Sequence, residues 1–263
     1  MPVTAEALAW RVEETCLNAW PALRQVLLGG WLLRFSDGLS RRVNSANPLR
    51  AGHEDLETLI ATCEALYQRQ RLPPIFRILS IIEPALDQRL ATLGYGSEGE
   101  SCVLYGDISA IESARDPDVQ LLTHTTRGWF TAMAALQGHT IEQSRIYRRI
   151  VDRIAIPAAF AALPVDGEIA ALAYGAIHNR LLCYESVVAD TSRRRHGYAR
   201  RIVSALTAWG REQGAEGACL EVEAGNKPAR ALYDAVGLNT ELYRYHYRRE
   251  PSAGAGAAGV AKT

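Results

Sequence analysis

One stretch of the chain, residues 181–214, restricts the possible fold more than any other. It begins with the apolar run 181–189, continues through a polar turn with three arginines and Gly197, and ends near Gly214. Between the two glycines, apolar residues recur at spacings of three and four: Ala199, Ile202, Val203, Leu206 and Trp209. The apolar run is typical of a buried strand. The spacing of the later apolar residues is typical of one face of a helix. Strand, glycine-bearing turn and helix together predict an α/β fold.

The turn before this helix has the chemistry of an anion site. The first N–H groups of a helix have no acceptor within it, and the helix dipole favours negative charge there. Gly197 has no Cβ, so a bulky anion can approach its backbone. The spacing Arg194-x-x-Gly197-x-Ala199 matches neither the nucleoside-triphosphate loop nor the dinucleotide fingerprint. Taken alone, the turn is more typical of a solvated helix start than of an anion site.

A second motif follows at residues 226–238. Asn226 precedes a helical pattern with Pro228 in its first turn, where an asparagine caps the helix or binds a ligand. Tyr233 lies about two turns further, on nearly the same helix face. Gly237 is the expected stop.

The two motifs, in this order, resemble those of the GNAT acetyltransferase superfamily over residues 120–250. The departures are mild: Ala199 stands for the more usual glycine, Leu238 for phenylalanine, and Thr191 where proline is frequent. The resemblance implies an α/β fold with a mixed (α+β) sheet. It also implies acetyl-coenzyme A as co-substrate, bound where two parallel strands part.

The resemblance also implies a role for each matching residue. The backbone of the strand end would hold the pantetheine arm: Val187, Val188 and Ala189. The turn would hold the pyrophosphate, with Asn226 nearby: Arg194, Arg195, His196, Gly197, Tyr198 and Ala199. Further arginines are candidates for the 3′-phosphate, although at least half of this group is expected to be solvated: Arg193, Arg195, Arg200 and Arg201. The three strand residues are also compatible with ordinary core positions.

The implied reaction is direct attack of a primary amine on the thioester. The amine must lose a proton and the departing thiolate must gain one. By resemblance, Tyr233 protonates the sulfur, although a buried structural tyrosine is the alternative. Glu185 is the candidate base, since strand alternation puts it on the same face as Val187. Glu221 and Glu223 are its rivals, and a purely structural carboxylate is the other possibility.

The pattern also predicts how the chain is divided. Residues 84–95 echo residues 228–238, with Leu90 where the second copy has Tyr233. We therefore expect a degenerate GNAT-like domain at 1–107, a linker at 108–120, a catalytic domain at 121–250 and a disordered tail at 251–263. A generic strand–helix–strand repeat would look similar. Within 1–107 we expect helix over 1–27, broken near Pro21, and a hairpin at Asp37-Gly38.

Bulk composition narrows the function classes. The formal net charge is +0, which argues against a nucleic-acid partner, and no apolar stretch is long enough for a membrane span. Five scattered cysteines and no visible signal peptide predict reduced thiols, a cytoplasmic protein and no metal site. The oligomeric state stays open, with a homodimer as one option. A non-catalytic acyl-CoA-binding or sensing module is the alternative to an enzyme, and a nucleic-acid binder is a second rival.

Overall fold

The computed structural model describes residues 4–49, 55–193 and 195–250, which form two compact units. The larger unit contains residues 4–23 and 101–244, and the smaller unit contains residues 24–100 and 245–250. The helices are α1 (Ala5–Ala19), α2 (Leu56–Arg69), α3 (Ala85–Thr92), α4 (Arg127–Gln137), α5 (Ile141–Val151), α6 (Tyr198–Glu212) and α7 (Lys227–Val236). The strands are β1 (Arg24–Leu28), β2 (Trp31–Phe35), β3 (Ala46–Pro48), β4 (Ile75–Leu79), β5 (Gly96–Asp107), β6 (Gln120–Leu122), β7 (Ala158–Val165), β8 (Glu168–His178), β9 (Leu181–Ala189), β10 (Gly217–Glu223) and β11 (Thr240–Arg249).

The larger unit is built on a mixed sheet in the order β5-β10-β9-β8-β7-β6. Its pairs are antiparallel except β9 and β10, which run parallel. The parallel pairing joins residues 217–219 to residues 181–183. Strand β9 continues to Ala189 and β10 to Glu223, so the two strands part beyond the pair Cys183–Cys219.

Helices cover both faces of this sheet. The apolar face of α6 packs with α7 residues and one face of the strands, and Leu206 and Val236 belong to this cluster. Helix α1 packs on β8, β9 and β10, and its buried residues include Val12 and Cys16. The buried Glu13 carboxylate of α1 accepts a hydrogen bond of 2.6 Å from the Tyr243 hydroxyl.

The smaller unit has the strand order β1-β2-β3-β4-β11. The β3–β4 pair is parallel, whereas the other pairs are antiparallel. Its core is an apolar cluster with contributions from α2, α3 and the strands, including Leu33, Phe76 and Leu90. Among the described helices of either unit, none is both long and apolar enough to cross a bilayer.

The predicted division of the chain differs from the observed units. Helix α1 belongs to the larger unit because its apolar face is buried on β8, β9 and β10. Residues 101–107 of β5 also belong there, because they pair with β10, whereas residues 245–249 of β11 pair with β4 in the smaller unit. Each unit therefore contains strand residues that the sequence placed in the other one: 101–107 in the larger unit and 245–249 in the smaller unit. The predicted tail, 251–263, lies outside the described residues.

Two local expectations for residues 1–50 need correction. Residues 24–28 form strand β1 rather than helix, because Gly29 and Gly30 both have positive φ and close a tight hairpin onto β2. Asp37 and Gly38 make a turn as predicted. The returning chain passes through a 3₁₀ turn, Arg41–Val43, before only the short β3 pairs antiparallel with β2.

Candidate functional site

A cleft of about 790 Å³ in the larger unit joins the two sequence motifs. Its walls are the end of β9, the turn at residues 190–197, and the first turns of α6 and α7. The predicted residues that line it are Val187, Ala189, Arg195, His196, Gly197, Tyr198, Ala199, Asn226 and Tyr233. Val188 is not among these lining residues, and Arg194 lies outside the described residues. A cleft of this size suits a small organic ligand.

The turn before α6 presents backbone to this cleft. Gly197 is the residue before the helix, has a φ of 73°, and makes no side-chain cap. A Cβ built on Gly197 would meet nothing within 4 Å, so the space beside it is open. The first intrahelical bond is donated by the Arg201 N–H to the Gly197 carbonyl. The N–H groups of residues 198–200 therefore have no helical acceptor, as the sequence predicts.

Side chains of the turn fix its shape. Asp190 accepts hydrogen bonds from the backbone N–H of Ser192 at 2.8 Å and from its hydroxyl at 2.7 Å, and these bonds hold the pKa of Asp190 below its usual range. His196 Nδ1 lies 3.1 Å from the Arg193 carbonyl, and its exposed ring stacks on Tyr198. The turn is therefore supported by its own hydrogen bonds.

The arginines near the turn differ in their charge partners. Arg200 pairs with Glu112, and Arg201 pairs with Asp116 at 2.5 Å and Asp118 at 2.6 Å. Arg193 lies near the carboxylates of three residues, at 3.4 to 3.7 Å: Asp166, Glu168 and Asp190. Arg195 is exposed and lines the cleft, and it forms no ion pair with residues 4–49, 55–193 or 195–250. Of this group, Arg195 therefore carries the least neutralised charge at the cleft.

Helix α7 begins as its sequence predicts. Asn226 precedes the helix, and its side chain accepts a hydrogen bond of 3.2 Å from the Ala229 N–H. The expected capping role of Asn226 is thus present, and its exposed position also faces the cleft. Gly237 ends the helix with a φ of 103°, where a Cβ would approach the Ala110 carbonyl to 2.8 Å.

Tyr233 lines the cleft, whereas Glu185 is buried on β9 and is not among the lining residues. Tyr233 is 7% exposed and Glu185 is 4% exposed. Burial, and then the negative charge of Glu185, raise the pKa of the Tyr233 phenol above its usual range. Beyond this electrostatic influence on the Tyr233 pKa, the catalytic roles of Tyr233 and Glu185 stay predictions. Glu221 is half-buried and Glu223 exposed on β10, and neither is a cause of the Tyr233 shift.

A β-bulge near Glu185 was not predicted. Leu172 pairs with Val188 but Tyr174 pairs with Glu185, so β9 has one extra residue at 186–187. Ser186 has a φ of 54°, and its hydroxyl lies 2.9 Å from the hydroxyl of Tyr147 on α5. Such bulges re-aim side chains next to active sites. The polar pair Glu185-Ser186 within an apolar run was the one available signal.

Because of the bulge, the side chains of β9 do not alternate as the sequence predicts. Val187 packs with the α6 cluster, to which Tyr184 also belongs. Glu185 keeps the face of Cys183, with Oε1 4.0 Å from the Cys183 Sγ. The prediction that Glu185 and Val187 share a face is therefore wrong, because the extra residue resets the period of two.

The cysteines also differ from expectation. They are scattered in the sequence, but the thiols of Cys16, Cys183 and Cys219 converge in the core, with every Sγ within 4.8 Å of the others. Sequence spacing gave no signal, because the three residues come from α1, β9 and β10.

Nearly the whole chain resembles known proteins. A family model described as "Probable histone acetyltransferase Rv0428c C-terminal" matches residues 7–248. An uncharacterized N-acetyltransferase of Bacillus subtilis (strain 168), YobR, is 26% identical over 246 residues, which is 90% of this chain and 97% of the relative.

Two solved structures cover nearly the whole chain. A GCN5-related N-acetyltransferase from Kribbella flavida superposes with a TM-score of 0.70 at 17% identity, covering 97% of this chain and 98% of its own. A tandem GNAT protein from the clavulanic acid biosynthesis pathway gives a TM-score of 0.66 at 13% identity, covering 95% and 96%. These likenesses confirm the predicted fold class.

Proposed function

We propose that this chain, which belongs to the acetyltransferase family whose model spans residues 7–248, transfers an acetyl group from acetyl-coenzyme A to a primary amine. The membership makes the chain a GNAT-type acetyltransferase. The thioester donor and the amine acceptor are our proposal. The observation that carries it is the cleft in which the open turn at Gly197, the start of α7 and Tyr233 meet.

The donor is proposed to bind by its diphosphate. The N–H groups at the start of α6 lack helical acceptors, and the helix dipole adds partial positive charge there. Arg195 supplies a full charge at the same wall of the cleft. The backbone of Val187, Val188 and Ala189 is assigned to the pantetheine amides, because β9 continues there beyond its pairing with β10.

The proposed chemistry is a direct transfer. The amine nitrogen forms a bond to the acetyl carbon while the carbon–sulfur bond breaks. Glu185 accepts the proton that the amine loses, directly or through a water molecule. Tyr233 donates a hydrogen bond to the sulfur as negative charge develops on it.

The environment of Tyr233 determines whether it transfers its proton to the sulfur or only donates a hydrogen bond. Its pKa is raised above the ordinary tyrosine value of ~10, whereas a thiol has a pKa of ~8.5. Complete proton transfer to a free thiolate is therefore unfavourable. The phenol instead stays protonated and stabilises the transition state by hydrogen bonding, and solvent completes protonation of the released thiolate.

We propose a cytoplasmic location because the cysteines of the chain are free thiols. All five cysteines are free and buried. Free thiols persist in a reducing compartment. The location therefore agrees with the use of a cytoplasmic thioester donor.

The proposed diphosphate site is tested by placing a negative charge in it. Gly197→Asp should weaken coenzyme A binding about tenfold or more in calorimetry, because the carboxylate would repel the diphosphate. Gly138→Asp is the matched control. Gly138 has a similar φ of 65°, equally open space around its Cβ position, and lies at the end of α4, away from the cleft. Equal weakening by both substitutions would contradict the assignment.

The reaction is tested by turnover of acetyl-coenzyme A with a panel of primary amines. Release of coenzyme A in the presence of an amine, with formation of the acetylated product, is the expected result. Tight binding of coenzyme A without turnover of any amine would favour the non-catalytic sensing module instead.

A further inference from the structure

Three thiols meet at one point in the core of the larger unit. Cys16, Cys183 and Cys219 are each at most 2% exposed, and their sulfur atoms all lie within 4.8 Å of one another. The Cys16 and Cys183 sulfurs are 3.8 Å apart. Cys183 and Cys219 are direct neighbours in the β9–β10 register, at the last pair before the strands part.

We propose that Cys16, Cys183 and Cys219 form a trithiolate site for one thiophilic d¹⁰ metal ion, of which Cu⁺ and Zn²⁺ are the examples to test. Nothing in the acetyl-transfer chemistry requires such an ion, so the proposal is independent of the proposed function.

The sulfur separations suit such an ion. With metal–sulfur bonds of about 2.3 Å, two sulfurs of one site lie roughly 3.8–4.0 Å apart in tetrahedral or trigonal geometry. The Cys16–Cys183 separation already has this value. The remaining sulfur, that of Cys219, needs to move by about 1 Å or less for all three to bind one ion.

The donor set defines the class of ion. Thiolate ligands select Cu⁺ and Zn²⁺ over the hard cations that prefer oxygen. Within residues 4–49, 55–193 and 195–250, the group of mutually close ligand atoms consists of these three sulfurs. Because the group supplies three sulfur ligands and no fourth ligand, it favours a soft ion that accepts a low coordination number.

The positions of the three ligands in the fold indicate a structural role for the ion. The three ligands come from α1, β9 and β10, which are distant in sequence. Structural metal sites are closed, and their ions bind as the chain folds, with the protons of the ligand thiols released to solvent. An ion here would join α1 to the fork at which β9 and β10 separate.

The remaining cysteines provide internal controls. Cys63 and Cys102 are as buried as the other three but are not part of the group. A disulfide is the competing use of these thiols. It would join only two of them and needs a sulfur–sulfur distance of about 2.05 Å.

The test uses the full chain, refolded under a non-thiol reductant with Cu⁺ or with Zn²⁺ and freed of unbound metal by gel filtration. We expect about one ion per chain by elemental analysis, and sulfur neighbours at about 2.3 Å by X-ray absorption. The thermal midpoint should rise with the ion present, because the ion binds the folded state.

Variants separate the site from adventitious binding. Cys219→Ser and Cys16→Ser should lose the ion and the rise in thermal midpoint, whereas Cys63→Ser and Cys102→Ser should keep both. If Cys16→Ser fails to fold, Cys219→Ser alone decides the question. No stoichiometric ion in the wild-type chain, equal binding by all variants, or a Cys16–Cys183 disulfide in the reduced preparation would each overturn the proposal.

Discussion

At the residue scale, Tyr233 combines burial with a neighbouring carboxylate. Tyr233→Phe removes only the hydroxyl, so we expect kcat to fall by about 10²-fold while the Kd of acetyl-coenzyme A stays the same. Steady-state kinetics and calorimetry separate the two quantities. Because the Tyr233 pKa is raised, ionisation of this phenol should not reduce the wild-type rate below pH 10. Unchanged turnover in the variant would remove Tyr233 from the mechanism.

The hydroxyl of Tyr147 makes a second residue-scale prediction. It lies 2.9 Å from Ser186 Oγ, at the bulge that follows Glu185 and changes the face on which Val187 lies. Tyr147→Phe should lower kcat about tenfold without changing the Kd of acetyl-coenzyme A, because the bulge loses a support but the diphosphate turn is untouched.

Tyr67→Phe is the control for that experiment. Its hydroxyl is also buried and bonds to the backbone of Arg34, in the smaller unit. Both variants should lose about 1 kcal/mol of unfolding free energy. Only Tyr147→Phe should lose activity, and an equal loss in both would point to a general effect of destabilisation.

At the element scale, Arg201 joins the start of α6 to residues 116–118. The hydrogen bond from Arg201, more than any other cause, lowers the pKa of Asp116 below its usual 3.8. A carboxyl with a lowered folded-state pKa stabilises the protein above its unfolded pKa and loses that contribution as the pH falls through the folded value. The bond should therefore support α6 at neutral pH and fail in acid.

Asp116→Asn tests this contribution by urea unfolding at two pH values. At pH 7 the variant should have an unfolding free energy lower by about 0.5–1 kcal/mol, the range of partly exposed ion pairs. The difference should shrink below about pH 3. Glu142→Gln is the control, since its pair with Arg145 is about 60% exposed on one helix. A pH-independent difference for Asp116→Asn would refute the electrostatic origin.

Several elements could be predicted because their signals are local. The helix that follows Asn226 ends at Gly237, as its sequence predicts. The turn at Gly197 and the cap at Asn226 follow from residue types within a few positions. The bulge in β9 depends on pairing with β8, and the polar pair Glu185-Ser186 was an insufficient local signal for it. Because of the same pairing, Val187 does not lie on the face of Glu185, which is the face that the sequence predicts.

At the scale of the whole molecule, the chain does not divide at 107–121. A fragment of residues 121–250 lacks α1 and β5, whose residues complete the larger unit. We expect this fragment to be unfolded or aggregated, because the β5 side of β10 and the α1 face of the sheet would be uncovered. Circular dichroism and thermal melting of the fragment provide the measurement, with the full chain as control.

The division of the chain was the least predictable feature. The echo between residues 84–95 and 228–238 is visible in sequence, but the exchange of closing strands is not. Leu90 and its counterpart Tyr233 are buried in different apolar clusters, as two repeats would require. The exchange depends on contacts between residues more than 100 positions apart, which no periodicity encodes. The degenerate duplication remains our hypothesis for the origin of the two units.

The fork between β9 and β10 has a further consequence. The parallel pairing of β9 with β10 ends at Cys183. Beyond this residue, the backbone N–H and C=O groups of β9 that point toward β10 no longer take part in the hydrogen bonds of that pair. An extended ligand with its own amides would act as a temporary strand there, so binding energy would come from the main chain rather than from side chains. Hydrogen exchange at residues 187–189 should accordingly slow when the donor binds, and substitution of their side chains should change affinity little.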